Sequence, residues 1–280
     1  SGTNGYLVLK ATSSQNASQA LCGFTAPSVS IKVQQSADVE ITGDISANYL
    51  WLKSNNSGTF TIDNDYDLTV DQYIKVAGGT LNVVTGSLTT TQNSSSNHEL
   101  TGGTLDIDGG TVSFGSASDA TTDLNIDGGA LDISGGTLNV SDCIDISTGT
   151  FTQSGGIVNV KTNTSANGDS DHKFAMDAGT LNLTGGTMNL LGEVNSTSYY
   201  SMSVAAGVTT TSTSGHTIAV STNDATGDEY RYIDMGDASN DIGNLTFDLA
   251  DHELYFITNT DILGDLTATN GDIDVSSLTV

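Results

Sequence analysis

Between Asp224 and Asp241 the chain brings Asp228, Glu229, Tyr230, Arg231, Tyr232 and Asp234 close together in sequence. Carboxylates beside a guanidinium are what acid–base cleavage of a glycan asks for, and tyrosine rings offer faces on which sugars stack. Aspartate and glutamate are frequent everywhere in this chain, 33 in 280 residues, so an acidic loop with aromatic contacts is the competing expectation. No residue is assigned as catalytic on this ground; Tyr230, Arg231 and Tyr232 stand as candidate glycan contacts. The pairs Tyr49/Trp51 and Tyr199/Tyr200 are further aromatic candidates.

Oxygen-rich loops suggest a second chemistry. Asp63-Asn64-Asp65 and Asp169-Ser170-Asp171 could each hold a calcium ion, with Asp63, Asp65, Asp169 and Asp171 as ligands. The nonapeptide calcium-roll motif is absent, because Gly102-Gly103-Thr104-Leu105-Asp106 carries an aliphatic residue where that motif needs its second glycine. No cofactor beyond a structural calcium is expected. His98 falls at an inward position of the repeat described next and is expected to be a core histidine bonded to a backbone carbonyl, or else to mark a register shift caused by the preceding loop, rather than a metal ligand. His172, His216 and His252 show no paired spacing, so neither zinc nor a nucleophilic triad is supported. Cys22 and Cys143 are either a disulfide or two isolated thiols.

The elements that would position such residues are set by a recurring glycine phrase: Gly79-Thr80-Leu81-Asn82-Val83, Gly103-Thr104-Leu105-Asp106-Ile107, Gly129-Ala130-Leu131-Asp132-Ile133 and Gly179-Thr180-Leu181-Asn182-Leu183. A second glycine follows seven residues later, at Gly86, Gly110, Gly136 and Gly186. A degenerate copy has Gly149 and Gly156, giving lead spacings of 24, 26, 20 and 30. Apolar residues two and four places after each lead glycine alternate with Thr, Asn and Asp, which is the period of a half-buried strand. The same alternation follows the second glycine, and a third strand precedes the first, as at Ile74/Val76 and Leu124/Ile126. Three short strands and a repeat of about 25 residues predict an all-β, right-handed parallel β-helix, or β-solenoid. Glycines at Gly79, Gly86, Gly103, Gly110, Gly129, Gly136, Gly149, Gly156, Gly179 and Gly186 mark its corners. Threonines 80, 104, 150 and 180 are expected to stack on an outer face.

Organisation follows the repeat. Residues 1–37 are the least repetitive and read as a cap or assembly segment; 38–280 read as one solenoid, regular over 71–190 and less so over 191–280. Polar stretches at 91–97 and 163–171 read as surface loops. The opening Ser1-Gly2-Thr3 and the strand-like ending at Val280 are expected to reflect a processed chain or part of a longer one.

Charge restricts partners. Net charge is -26, from those acids against six lysines and one arginine, so nucleic acid is excluded and acidic polysaccharides would need a bridging cation. No apolar run is long enough for a membrane-spanning helix.

The Gly-Gly-Thr-Leu-Asn-Val phrase at 78–83 resembles the passenger repeats of bacterial autotransporters and, more loosely, filamentous-haemagglutinin-like secreted adhesins. The likeness covers 71–190 well and the remainder weakly, and it carries no functional residue. It implies a right-handed parallel β-helix at the bacterial cell surface. The expected role is a non-enzymatic extracellular stalk, adhesin segment or filament subunit, with copies of itself, neighbouring repeats or surface glycans as partners. A carbohydrate-active enzyme or carbohydrate-binding module on the same scaffold is the alternative.

Overall fold

The computed structural model describes residues 5–10, 19–91, 98–115, 122–160, 173–191, 200–221, 230–274 and 278–279. Among them there are strands and turns but no helix. Every described strand pairs in parallel with the strand about one repeat away, so the chain is a parallel β-solenoid.

Each coil contributes to three columns of strands. The first column runs from Gly5–Lys10 through Val29–Gln34, Leu50–Leu52, Ile74–Val76 and His98–Leu100 to residues 124–126 and beyond. In the second, Thr59–Ile62, Thr80–Val83 and Thr104–Ile107 stack under residues 130–133. The third stacks Asp67–Val70, Ser87–Thr90, Thr111–Phe114 and Thr137–Val140. In the regular coils the longer strands Leu124–Ile133, Ile144–Val160 and Thr180–Leu190 bend round one or both corners. Within the segment read from sequence as a cap or assembly segment, Gly5–Lys10, Gln19–Leu21 and Phe24–Ala26 supply rungs of the first, second and third columns. Segments 92–97, 116–121, 161–172, 192–199 and 222–229 lie outside the described residues, and all five join the third column of one coil to the first column of the next.

Alternation sorts the side chains. Leu81, Leu105, Leu131, Phe151 and Leu181 lie one above another inside the coil, as do Val83, Ile107 and Ile133. Burying such a stack removes roughly 25 cal/mol per Å² of apolar surface from water, and stacking is what makes the burial complete. Outside, Thr59, Thr80, Thr104, Ala130, Thr150, Thr180 and Thr209 align, so the expected threonine column is present with one alanine in it. On the third face Asn189 Nδ2 donates to Asn159 Oδ1 at 2.7 Å, Asn159 Nδ2 to Asn139 Oδ1 at 2.8 Å, and Asn139 Nδ2 to Ser113 Oγ at 3.1 Å. This polar ladder repeats along the stack as the backbone ladder does.

The glycines sit at corners for two separate reasons. Gly179 has φ of +115°, a left-handed backbone that side chains avoid. Gly103 and Gly129 are not in that region, yet each sits directly over the lead glycine of the coil before it. A Cβ on Gly129 would lie 2.8 Å from the Gly103 carbonyl oxygen and 2.9 Å from Leu100 Cβ. That same carbonyl accepts the Ala130 N–H at 2.9 Å, so the two coils cannot move apart to make room. Gly79, Gly103, Gly129, Gly149 and Gly179 form one such column; Gly86, Gly110, Gly136, Gly156 and Gly186 form the other. Earlier coils lack the phrase and turn their corners with Gln35-Ser36 and Asn64-Asp65, all four with φ near +60°.

Two measurements follow. Gly207 has φ of +94° with open space around its Cα, whereas Gly179 combines positive φ with a carbonyl beneath it. Gly207→Ala should therefore cost about 1–2 kcal/mol, and Gly179→Ala should add an overpacking cost of about 1–3 kcal/mol, read as a lower urea midpoint. Equal losses would show that backbone conformation alone dictates the corners. Asn159→Ala removes both a donor and an acceptor from the ladder and should cost about 1–3 kcal/mol; a change within error would mean the ladder adds nothing to stability.

Candidate functional site

Of the acidic segment's candidate residues, Arg231 and Tyr232 take opposite faces of one strand. Arg231 takes an inward position opposite Leu254 and is 1% exposed, while Tyr232 alternates outward. Consecutive residues on a strand point to opposite faces, so the guanidinium and the Tyr232 ring cannot grip one surface ligand. Asp228, Glu229 and the side chain of Tyr230 lie outside the described residues. Tyr232 belongs instead to an outer aromatic row, 5.9 Å from Tyr200 and 5.7 Å from Tyr255 between ring centres.

Asp63-Asn64-Asp65 is a corner. The Asp63 carboxylate accepts hydrogen bonds from the Asn64 N–H at 2.7 Å and the Thr85 hydroxyl at 2.9 Å, and the Asp65 N–H donates to Thr85 Oγ1 at 3.1 Å. Among the described residues no group of three or more His, Cys, Asp or Glu is arranged to hold a metal. Asp169 and Asp171 lie outside the described residues, as do His172 and the side chain of His252. Cys22 and Cys143 are both free. Cys143 Sγ donates to Asp123 Oδ1 at 3.0 Å, and burial, reinforced by the Asp123 charge, pushes its thiol far up, so it is no nucleophile.

His98 points into the core in register with Leu124, stacked on Phe114 at 4.5 Å. Its Nδ1 accepts the Ile74 N–H at 3.1 Å, so its backbone partner is an amide rather than the carbonyl expected from sequence. Nε2 then carries the proton of the neutral ring and faces Thr90 Oγ1 at 3.3 Å. His216, also buried, meets Gln153 Oε1 through Nε2 at 3.0 Å. Burial lowers His98 to about 3 and His216 to about 4.

Chemistry gathers instead on the outer face of the first column, over the earliest coils. Lys10, Lys32, Lys53 and Lys75 recur at intervals of 22, 21 and 22 residues, close to one coil each, and so return to this one face. They are staggered rather than stacked. Lys32 pairs with Trp51, which pairs with Lys75, while Lys10 lies against Gln34. Like charges directly opposite on a sheet are thereby avoided. Lys32 Nζ sits 3.4 Å from the Tyr6 ring centre and 5.2 Å from that of Trp51, and Lys53 Nζ sits 4.4 Å from the Trp51 ring. Lys75 is neutralised by an ion pair with Glu99. Tyr49 and Tyr73 pack together at 4.6 Å.

These groups enclose a cavity of about 240 Å³ lined by Tyr6, Ser30, Ile31, Lys32, Tyr49, Trp51 and Tyr73. Among the described residues no carboxylate lines it. Ser30 is 1% exposed, and both Ser30 Oγ and Trp51 Nε1 are buried without a hydrogen-bond partner. Burial, with Tyr49 and Glu99 adding to it, raises the Tyr73 phenol above its ordinary range, which keeps it a neutral donor. Sequence reading named Tyr49 and Trp51 as sugar-stacking candidates but missed the lysines, whose regular interval was the available signal.

Comparison with protein families, with curated proteins and with solved structures gives no match. What is shown of the class is therefore the architecture, a parallel β-solenoid.

The two buried histidines carry a pH dependence. Each is held neutral in the fold while the unfolded chain titrates near 6.5, so stability is complete above pH 6.5 and is lost as pH falls toward 4 and then 3. The loss per histidine approaches about 1.4 kcal/mol per pH unit. His98→Gln should flatten the slope of unfolding free energy between pH 6.5 and 4 relative to the parent, measured by denaturant titration. Nitrogen-15 spectra at pH 5 should show both rings neutral; a charged His98 at that pH would contradict the assignment.

Proposed function

We propose that this chain is a non-enzymatic structural or adhesive β-solenoid of the cell exterior, working as a stalk, adhesin segment or filament subunit. The observation that carries the reading is the pair of open edges. Gly5–Lys10 and Leu266–Asp274 each pair on one side only among the described residues. Leu7 and Leu9, inward in register, are left half-buried, and Tyr6 and Val8 are 56% and 42% exposed. Such edges accept another parallel strand, from a second copy or from further coils of a longer chain. Between them, backbone pairing that continues through the first and third columns supplies the stiffness that reach and display require. Support for the cell surface comes from the glycine phrase and its likeness to secreted adhesin repeats.

Net charge of -26 holds copies apart at low ionic strength, and salt screens that repulsion within about 8–10 Å. The purified chain should therefore associate end to end as salt rises, seen by light scattering and electron microscopy. Val8→Lys, which charges the edge, should suppress it. A monomer at every salt and protein concentration, together with cleavage of a polysaccharide substrate, would overturn the reading.

A further inference from the structure

We propose that the cavity between Tyr6 and Tyr73 is a binding site for an acidic sugar, a hexuronate unit of a polysaccharide. Three requirements set by the site converge on that class. The first is hydrogen bonding. Trp51 Nε1–H can only donate, and Ser30 Oγ can donate or accept; both are buried and unpartnered. An unmade hydrogen bond at a buried polar atom is costly, so the occupant must bring oxygen acceptors at close quarters.

The second requirement is charge. Lys32 forms part of the wall, no carboxylate among the described residues lines it there, and its ammonium is held over the rings of Tyr6 and Trp51. A carboxylate can add to that arrangement without displacing an existing ion pair. Lys53 lies on the same side, whereas Lys75 is already matched by Glu99. In a chain of net charge -26, gathering four of its seven basic residues on one face makes it the natural landing place for an anion. The expectation that acidic polysaccharides would need a bridging cation rested on the shortage of basic residues, and this proposal rests on their gathering on one face.

The third requirement is shape. At about 240 Å³ the cavity falls below the usual range for drug-sized ligands, and its walls are aromatic. A single pyranose ring presents C–H faces to such walls and hydroxyls to Ser30 and Trp51, while its carboxylate reaches Lys32. Tyr6, Lys32 and Trp51 stand on the outer face of the first column in successive coils, so a longer glycan chain can continue from the bound unit along that face. Tyr6 lies on the Gly5–Lys10 edge strand, so the site adjoins the association edge, but a failed titration would leave the association experiment untouched.

Trp51 is the only tryptophan, so its fluorescence reports the cavity directly. The full chain would be titrated with trigalacturonate and with a neutral galactose trisaccharide, and heat would be measured in parallel by calorimetry. The expected result is a saturable response to trigalacturonate that weakens with added salt, with the neutral sugar at least about tenfold weaker. Lys32→Met should weaken the acidic sugar by about tenfold and leave any neutral binding unchanged. Ser30→Ala, a smaller change, should weaken binding by calorimetry with the circular dichroism spectrum preserved. No saturable response, as for a cavity filled by water alone, would overturn the proposal. So would equal affinity for the neutral sugar, or indifference to both substitutions in folded protein.

Discussion

Everything in this structure depends on parallel backbone pairing between coils at about 4.8 Å per layer. Once Thr104 N–H reaches the Gly79 carbonyl and Ala130 N–H reaches that of Gly103, each residue acquires a fixed neighbour above and below. A side chain must then suit its own position and also its copy in the next layer. Aliphatics inside satisfy this by stacking on their own kind. Asparagines outside satisfy it by donating to the next asparagine, as along Asn139, Asn159 and Asn189.

The same constraint punishes two kinds of residue. At the corners a Cβ meets the carbonyl below, which empties those positions of side chains whether or not φ is positive. On the faces, like charges would stack. Asp106 and Asp132 do align, and burial together with the neighbouring Asp108 and Asp132 charges raises the Asp106 carboxyl above its usual range. The lysines avoid that cost by staggering, with Trp51 between Lys32 and Lys75. Acidic charge is otherwise spread along faces and loops, where water and salt attenuate it.

Where the constraint acts through residue type and spacing, sequence shows it plainly. Period-two alternation and the seven-residue offset of the glycines gave three strands and two corners, and His98 stood inward as its register required. Corners made by Gln35-Ser36 and Asn64-Asp65 were harder, because left-handed backbone in those residues leaves no spacing signal. Asp63 and Asp65, read from sequence as candidate ligands, stand at or beside such a corner. Arg231 was misleading for a different reason. Its sequence neighbours are acidic and aromatic, but strand alternation turns it inward, so nearness along the chain did not become nearness on a face.

Function in such a fold has to be written on the outside, since each inward position is committed to the stack. Even there a site needs an interruption of the ladder, because a column of self-matched side chains leaves no unsatisfied group for a ligand. The asparagine ladder illustrates this: its donors and acceptors are largely consumed by one another. The first coils are different. Tyr6, Ser30, Tyr49 and Tyr73 follow one another in neighbouring layers, and Ser30 interrupts the row of tyrosines beside a cavity where its Oγ and Trp51 Nε1 are buried with nothing to bond. Irregularity in an otherwise self-matched stack is thus the physical mark of a site, and it lies where the glycine phrase has not yet begun.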